Sequence, residues 1–215
     1  MNLAVIPYPG LALHAVTAVL GQPLERVPSP AWLQDLLRPD AKVPVFAPAE
    51  LRAAVRDLLR QHGYRPTGRG KPSCEYLAGA AADGRLGSIN AVVDACNAVS
   101  LHSALPISVV DLDICRAPLR IDVPTDGSKY VFNRGGQEID VAGLLSLFDA
   151  DGPCANAVKD AQRTKTTPAT TRVLGIVWGC AAPDPRHAPA TTAWFAELLG
   201  RLGAVVEPVA TTIEP

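Results

Sequence analysis

The sequence predicts an α+β fold in which helices precede a closely spaced group of short strands. Apolar residues in "PAELRAAVRDLLRQHG" recur at the helical period, so residues 48–63 are expected to form an amphipathic helix. After Pro106 the pattern changes to short β-branched runs, which are separated by the turn signals "TDG", "RGG" and "DG". A chain of 215 residues is long enough to bury a hydrophobic core.

The N-terminal part of the chain contains further predicted elements. The stretch "MNLAVIPYPGLALHAVTAVLG" is interpreted as a strand, a turn and a helix. Shorter helices are predicted at residues 29–38, where Ser29 and Pro30 give a start signal, and from Ser73 onward in "PSCEYLAGAAADG". The polar segments 65–73 and 158–172 are rich in Gly, Pro or Thr and are predicted to be loops.

A predicted helix that begins near Ser88 carries polar residues next to its apolar face. Asn90, Asp94 and Asn97 are four and three residues apart, so at helical spacing they form one narrow stripe at the edge of the core. One interpretation is structural, because short polar side chains bond readily to neighbouring backbone. The other is a pocket wall, because Asn and Asp are poor helix formers and their grouping suggests fixed partners.

Strands dominate the chain after this helix. The runs "ISVVDLD", "LRIDV", "KYVF", "QEIDV" and "LLSLF" are interpreted as strands of a meander or barrel. A buried strand is expected in "RVLGIVWG", a helix in "PATTAWFAELLGRLG" and a final strand in "AVVEPV". The 20 prolines are dispersed and no internal repeat is found, so residues 1–215 are expected to form a single composite domain.

Composition narrows the class of protein. The formal net charge is -1, so any site for a polyanion must be a local one. The five cysteines form no CxxC pair, which favours a reducing cytoplasm over a disulfide framework or a zinc module. Pro7 and Pro9 interrupt the apolar N-terminus and no basic segment precedes it, so we expect no membrane association.

The motifs exclude several kinds of chemistry. "GRGKPS" resembles a phosphate-binding loop, but it has no earlier Gly and Pro72 stands where Ser or Thr is required. The four histidines are scattered, without Cys or His at ligand spacing, so neither a metal nor a cofactor is expected. No GxSxG motif or other nucleophile setting is found, so a hydrolase with this sequence would use water as the attacking group.

Two basic segments are candidates for contact with phosphate. Arg65, Arg69 and Lys71 lie in the first predicted loop, and Arg163 and Lys165 lie among hydroxyl residues in "DAQRTKTT". Arginine, lysine and hydroxyl groups together suit a phosphate or the edge of a ribose. The alternative is that both segments are ordinary solvated loops.

Three segments carry a resemblance to a known family. "KPSCEYL", "INAVVDACNAVSLHSALPISVVDLD" and "DAQRTKTT" resemble the B3/B4 tRNA-binding domain of the phenylalanyl-tRNA synthetase beta subunit, in a free-standing form. The similar region, residues 71–179, covers about half of the chain. The resemblance implies a β-barrel-like central sheet flanked by helices, with residues 1–70 as an N-terminal α/β elaboration packed on the 71–179 core.

The resemblance also implies roles for individual residues. Catalysis is assigned to Asn90, Asn97, Ser108 and Thr164. Substrate binding is assigned to Asp94, Asp111, Asp160 and Arg163, and RNA binding to Arg65, Arg69, Lys71 and Lys165. Ser108 stands where the synthetase has a histidine, and the acidic residue that recognises tyrosine has no clear match, so tyrosine specificity is not carried over.

Two functions fit these expectations. The first is an enzyme that acts in trans and hydrolyses the ester between an amino acid and the terminal ribose of a mischarged tRNA. The second is a non-catalytic module that binds RNA or an amino acid, which the missing histidine and the near-neutral net charge favour. In both cases the expected partner is tRNA or the acceptor end of aminoacyl-tRNA, not DNA, in the cytoplasm. A complete synthetase is not expected, because the chain has no class II synthetase motif.

Overall fold

A computed structural model describes residues 1–214, which fold into an α+β structure as predicted. The strands are β1 (Asn2–Val5), β2 (Leu11–Val19), β3 (Ile107–Asp111), β4 (Arg120–Asp122), β5 (Lys129–Val131), β6 (Glu138–Asp140), β7 (Ser146–Asp149), β8 (Gly152–Asn156), β9 (Arg172–Cys180), β10 (Val205–Pro208) and β11 (Ala210–Ile213). The helices are α1 (Ala31–Asp35), α2 (Leu51–Leu59), α3 (Ser73–Ala82), α4 (Ala91–Ser103) and α5 (His187–Arg201). Short 3-10 turns occur at Leu24–Arg26, Gly68–Gly70 and Gln162–Thr164.

The strands form three sheets. An antiparallel sheet has the order β10-β2-β9-β3, and a mixed sheet has the order β11-β1-β4-β7-β8, in which β1 is parallel to both of its neighbours. Strands β5 and β6 form a separate ribbon. The strands expected to form a meander or barrel are thus distributed over all three sheets, and none of these sheets closes into a barrel within residues 1–214.

Residues 11–19 form a strand and not the expected helix. This segment, β2, is paired with β9 along its whole length and with β10 on its other side. Pairing satisfies backbone groups on one edge of the whole strand and on both edges at Val16–Val19, and α5 packs on the sheet over it. Strand pairing therefore outweighs the weak helical preference of its Ala and Leu residues.

Strands β8 and β11 were not expected from the sequence either.

Helices α4 and α5 cover the antiparallel sheet. Helix α5 packs on β2 and β9, and α4 packs between α5 and β3. Two glycines of β9 allow α5 and the neighbouring strand to approach closely. A Cβ atom at Gly175 would lie 2.4 Å from Phe195 Cε1, and one at Gly179 would lie 2.4 Å from the Ala12 carbonyl oxygen and 2.5 Å from Ala188 Cβ.

Helix α4 starts three residues later than the sequence pattern suggested. Asn90 has extended backbone angles and is the N-cap, so the first helical residue is Ala91. At the other end Ala104 is left-handed with φ 55°, and the chain turns there directly into β3. This short connection fixes the C-terminal end of α4 relative to the edge strand β3.

The core is made of aliphatic side chains from both large sheets and from α2, α4 and α5, together with the aromatic residues Trp178, Trp194 and Phe195. All five cysteines are free thiols. Within residues 1–214, no helix has the length and apolar character needed to cross a membrane. In the same range no three His, Cys, Asp or Glu side chains are grouped as metal ligands.

Candidate functional site

A cavity of about 770 Å³ lies between the start of α4, strand β3 and the loop that follows β8. Its apolar wall comes from Val93 and Cys96 of α4 and from Ile107 and Val109 of β3. Its polar lining consists of Glu25, Ser73, Asn90, Asn97, Asn133, Arg134, Asp160, Gln162, Lys165, Thr166 and Thr167. An apolar wall that faces many polar groups is typical of a site that binds an amphipathic small molecule.

Helix α4 presents two asparagines to this cavity. Asn90 Oδ1 accepts a hydrogen bond of 3.0 Å from the Val93 N–H, which is the usual N-cap bond, and its Nδ2 lies 3.4 Å from Thr166 Oγ1. The Asn97 side chain makes no hydrogen bond to any group of residues 1–214 and lines the cavity. Its amide is therefore available to a ligand.

Asp94 lies between these asparagines in sequence but is not part of the cavity lining. It is fully buried, and its carboxylate accepts hydrogen bonds from the Ser29 hydroxyl at 2.6 Å, the Ser88 hydroxyl and the Ile89 N–H at 2.7 Å. These bonds fix the segment before α4 against the loop before α1. The predicted stripe is thus divided between a cavity side and a structural side.

The loop after β8 is shaped by Asn156. Its Oδ1 accepts hydrogen bonds from the Val158 N–H at 2.8 Å and the Lys159 N–H at 2.9 Å, which makes a tight turn. Its Nδ2 is directed at the Tyr130 hydroxyl, which in turn donates to the Lys159 carbonyl. The turn places Asp160 beside the unpaired edge of β3.

Asp160 is the acidic group of the cavity. Its Oδ1 accepts hydrogen bonds from the Ser108 hydroxyl at 2.7 Å and the Asn156 N–H at 3.3 Å. The Val109 backbone N–H also stabilises the ionised carboxylate. Burial raises the pKa of Asp160 to about 6, although the Ser108 hydrogen bond and the positive charge of Lys165 act to lower it.

Ser108 lies behind Asp160 and not in the cavity lining. Along β3, Ile107 and Val109 face the cavity and Ser108 faces the opposite side, as expected for alternating side chains. Its hydroxyl is buried and accepts a hydrogen bond of 2.9 Å from Trp178 Nε1. Ser108 therefore contacts Asp160 and does not face the cavity.

The Arg163–Thr164–Lys165 segment separates into two roles. The Arg163 guanidinium forms a bidentate ion pair with the buried Asp149. Its Nη1 lies 2.7 Å from Oδ2 and its Nη2 lies 2.7 Å from Oδ1. The Thr164 hydroxyl is buried and bonds to the Cys154 carbonyl at 3.2 Å. These contacts fix the 3-10 turn on β8, and neither side chain belongs to the cavity lining.

Lys165 points from the same turn into the cavity. Its Nζ donates a hydrogen bond of 2.6 Å to the Phe132 carbonyl. Burial lowers the pKa of Lys165, and the negative charge of Asp160 opposes this change. The cavity therefore contains a carboxyl group and an ammonium group, and burial shifts the pKa of each toward neutral pH.

Basic and aromatic side chains form a surface beside the cavity, which we call the basic rim: Arg69, Lys71, Lys159, Lys165, Tyr76 and Phe132. Lys159 Nζ lies 4.4 Å from the centre of the Phe132 ring and 5.4 Å from that of Tyr76, and Lys71 Nζ lies 4.5 Å from Tyr76. Burial lowers the pKa of Lys159, and the charges of Arg69 and Lys165 add to this effect. Positive charge is thus concentrated locally in a chain whose formal net charge is -1.

Two other predicted residues lie apart from the cavity. Asp111 is buried at the end of β3, where it accepts hydrogen bonds from the Thr170 hydroxyl and, at 2.9 Å, from the Asp113 N–H. Arg65 is exposed on the loop that also carries Arg69, and its side chain forms no ion pair within residues 1–214. The structure therefore brings together Asn90, Asn97, Asp160 and Lys165, with Ser108 behind them and Arg69 and Lys71 on the rim.

Several residues of the site were not expected from the sequence. Asn133 and Arg134 line the cavity from the β5–β6 turn, where "RGG" indicated only a turn. The Ser73 hydroxyl oxygen is buried at the cavity, and no group of residues 1–214 forms a hydrogen bond with it. The sequence predicts Trp178 only as part of a buried strand. A buried tryptophan usually needs an acceptor for its indole N–H, so its presence in that strand was a signal that a polar group lies nearby.

No family model matches the chain, and no curated protein matches it. Among solved structures, an N-terminal fragment of the phenylalanyl-tRNA synthetase beta-subunit from Pyrococcus horikoshii is similar to it, with 12% sequence identity and a TM-score of 0.48. The match covers 57% of this chain and 43% of that chain. A likeness of this size does not establish a shared family or function.

Proposed function

We propose that the protein binds the aminoacyl end of a tRNA in the cavity and hydrolyses the ester that joins the amino acid to the ribose. The observation that carries this proposal is Asp160. Its carboxyl faces a cavity, one of its oxygens is fixed by two hydrogen bonds, and its pKa of about 6 lies close to neutral pH. A carboxylate with such a pKa suits general-base catalysis, because it is ionised at pH 7 and still basic enough to take a proton.

The chemical step needs no covalent intermediate. Asp160 takes a proton from a water molecule as the water oxygen bonds to the ester carbonyl carbon. The C–O bond to the ribose then breaks, and the ribose oxygen receives the proton, so the products are a free amino acid and a tRNA with free ribose hydroxyls. The Asn97 amide and the Lys165 ammonium group are available to stabilise the negative charge on the carbonyl oxygen.

The surroundings of the cavity support an aminoacyl-tRNA substrate. The apolar wall formed by Val93, Cys96, Ile107 and Val109 suits an apolar side chain, and a volume of about 770 Å³ accommodates an amino acid together with a nucleoside. The basic rim adds cations and aromatic rings beside the cavity, a combination that suits phosphates and unpaired bases. The resemblance of residues 71–179 to the B3/B4 domain favours the same substrate class.

A non-catalytic binding module is the second candidate. The observation that favours it is that two polar groups of the cavity lining are already engaged by the protein. Asn90 is used in capping α4, and one N–H of the Lys165 ammonium group bonds to the Phe132 carbonyl. A group held in this way is less free to turn toward the charge that develops in a transition state, whereas binding of an aminoacyl group needs no such change.

Release of amino acid from a panel of aminoacyl-tRNAs tests the proposal. The wild-type protein is expected to release amino acid from at least one of the common aminoacyl-tRNAs. Asp160→Asn should slow release by about 100-fold or more, because it removes the base, while tRNA affinity stays within about threefold. Asp184→Asn is the matched control, since Asp184 lies outside the cavity, and it should leave both quantities unchanged. Wild-type protein that binds tRNA and releases no amino acid would support the binding module instead.

A further inference from the structure

A chain of two hydrogen bonds links the core of the antiparallel sheet to the cavity. Trp178 Nε1 lies 2.9 Å from Ser108 Oγ, and Ser108 Oγ lies 2.7 Å from Asp160 Oδ1. Trp178 and Ser108 are both almost fully buried. Water therefore has little access to these bonds, and their donors and acceptors are fixed by the protein.

Strand register explains why these two side chains meet. Ser108 of β3 is opposite Ile176 of β9 in the antiparallel pair. Trp178 lies two residues further along β9, so its side chain is on the same face as that of Ser108 and is its diagonal neighbour. A long aromatic side chain reaches across this diagonal, which places the indole N–H at the serine hydroxyl.

The direction of the serine hydroxyl follows from counting donors. An indole N–H only donates, so Ser108 Oγ must act as its acceptor, and the single hydroxyl hydrogen is left for another partner. Two acceptors are within reach, the Asn156 carbonyl at 3.1 Å and Asp160 Oδ1 at 2.7 Å. The carboxylate oxygen is closer and charged, so it is the stronger acceptor.

We propose that Ser108 and Trp178 are positioning residues for Asp160: the indole N–H orients the serine hydroxyl, the hydroxyl occupies Oδ1, and Oδ2 is the oxygen that accepts the proton of the attacking water. The inference rests on the proposed function for the role of Oδ2, while the hydrogen-bond chain itself can be tested without any substrate. Ser108, which the sequence had placed among the catalytic residues, then acts only through Asp160.

The hydrogen-bond chain predicts how Asp160 titrates. The titratable groups that face Asp160 are the Lys165 ammonium, the Cys96 thiol of α4 and the Tyr130 hydroxyl of β5, while Glu25 and Arg134 line the same cavity. Among the side chains of residues 1–214, the Ser108 hydroxyl alone donates a hydrogen bond to the carboxylate. Loss of this donor leaves the ionised form less stable, so the pKa of Asp160 rises.

Titration of Asp160 by NMR tests this inference. In protein labelled with carbon-13 at the aspartate carboxyl carbons, the signal missing from Asp160→Asn identifies Asp160. Ser108→Ala should raise its pKa by about one to two units, because a hydrogen bond to a charged group is lost. Trp178→Phe should raise it by a smaller amount, since the hydroxyl is then free to turn toward the Asn156 carbonyl. Ser108→Thr, which retains a hydroxyl, should leave the pKa near the wild-type value.

The pH dependence of ester hydrolysis gives the second readout. The acid limb of the rate profile should move to higher pH in Ser108→Ala and Trp178→Phe by the same amount as the NMR titration, and Ser108→Thr should restore it. An Asp160 pKa that is unchanged in Trp178→Phe would overturn the proposal. If Ser108→Ala does not fold, the Trp178→Phe titration alone tests whether the hydrogen bonds position Asp160. If the wild-type protein hydrolyses no ester, the proposed function is wrong. The NMR titrations still show, independently, whether the hydrogen bonds from Trp178 and Ser108 position Asp160.

Discussion

At the residue scale, two short polar side chains of α4 that lie three residues apart, Asp94 and Asn97, have opposite environments. Asn97 lines the cavity and has no hydrogen-bond partner among residues 1–214, whereas Asp94 accepts hydrogen bonds from three donors and is not part of the cavity lining. Burial of a charged carboxylate is tolerated only when hydrogen bonds replace its water, and here two serines and one backbone N–H do so. Stability and ligand contact are therefore separated within a single turn of helix.

Substitution of the two residues should separate these effects. Asn97→Ala is expected to change the free energy of unfolding by less than about 0.5 kcal/mol, because no protein hydrogen bond is lost and Ala is a better helix former. It should slow hydrolysis about 100-fold, which is typical for the loss of one oxyanion donor. Asp94→Ala removes three hydrogen bonds to a buried carboxylate, while the donors regain contact with water, and should lower the free energy of unfolding by about 1–3 kcal/mol.

Urea denaturation and the release assay measure both effects on the same samples. An Asp94→Ala protein of wild-type stability that no longer binds tRNA would contradict the structural role of Asp94. The sequence indicated the polar stripe, and its spacing correctly suggested that Asn90 and Asn97 share a side of the helix. It could not show where Asp94 points, because its partner Ser29 is 65 residues away.

At the element scale, β9 is the strand on which the antiparallel sheet is assembled. It is paired with β2 on one edge and β3 on the other, and it carries α5 on one face. Gly179 permits this crowding, since its missing Cβ would otherwise meet the carbonyl of the paired strand.

Replacement of glycine by alanine should have opposite effects in β9 and in α3. Gly179→Ala is expected to lower the free energy of unfolding by about 1–3 kcal/mol, because the new methyl group meets backbone that cannot move without breaking the sheet. Gly79→Ala is the matched control: the position is exposed, helical and open, so the same change should raise the free energy of unfolding by up to about 1 kcal/mol. Thermal unfolding of the two variants beside the wild type measures the difference, and equal midpoints would contradict the packing of α5 on β9.

The elements themselves were predicted unevenly, for physical reasons. Helix α2 has a strong apolar period and was predicted from it, as was the buried strand β9. Strand β2 was interpreted as a helix because a short run of Leu, Ala and Val fits both structures, and the choice depends on pairing with residues 172–180. Strand β8 contains Gly152 and Pro153, residues that usually mark a loop.

At the scale of the whole molecule, the cavity depends on contacts between distant parts of the chain. Ser108, Asp160 and Trp178 come from β3, from the loop after β8 and from β9. The sequence identified Ser108 and Asp160 through a family resemblance, but it could not show that they are in contact. It also could not predict the pKa of Asp160, since burial is a property of the assembled fold.

This burial has a consequence for the stability of the molecule. The pKa of Asp160 is raised from 3.8 to about 6 on folding, so between these values the folded state binds more protons than the unfolded state. The contribution of Asp160 is therefore most favourable at pH below 3.8 and is lost as the pH rises through 6. At pH 7 and above the loss amounts to at most about 3 kcal/mol.

Asp160→Asn removes this dependence and should be more stable than the wild type at pH 7.5, by up to about 3 kcal/mol. The difference in free energy of unfolding between variant and wild type should shrink as the pH falls from 7 to 4. Asp184→Asn provides the control of opposite sign, because hydrogen bonds from Arg186 lower the pKa of Asp184 and its contribution is lost only in acid. Urea denaturation across this pH range measures both differences. A constant difference for Asp160→Asn would show that Asp160 is not buried as described.

The position of β1 affects how the protein folds. β1 lies between β4 and β11, and the Asn2 side chain is hydrogen-bonded to Thr212, which is 210 residues away. Contacts between residues so distant in sequence form slowly, because the entropy of closing the intervening loop is lost before the contact is made. Until β11 pairs with it, a strand with the buried residues Leu3 and Val5 has an unpaired edge that another molecule can bind. Refolding at high protein concentration therefore favours aggregation through this edge.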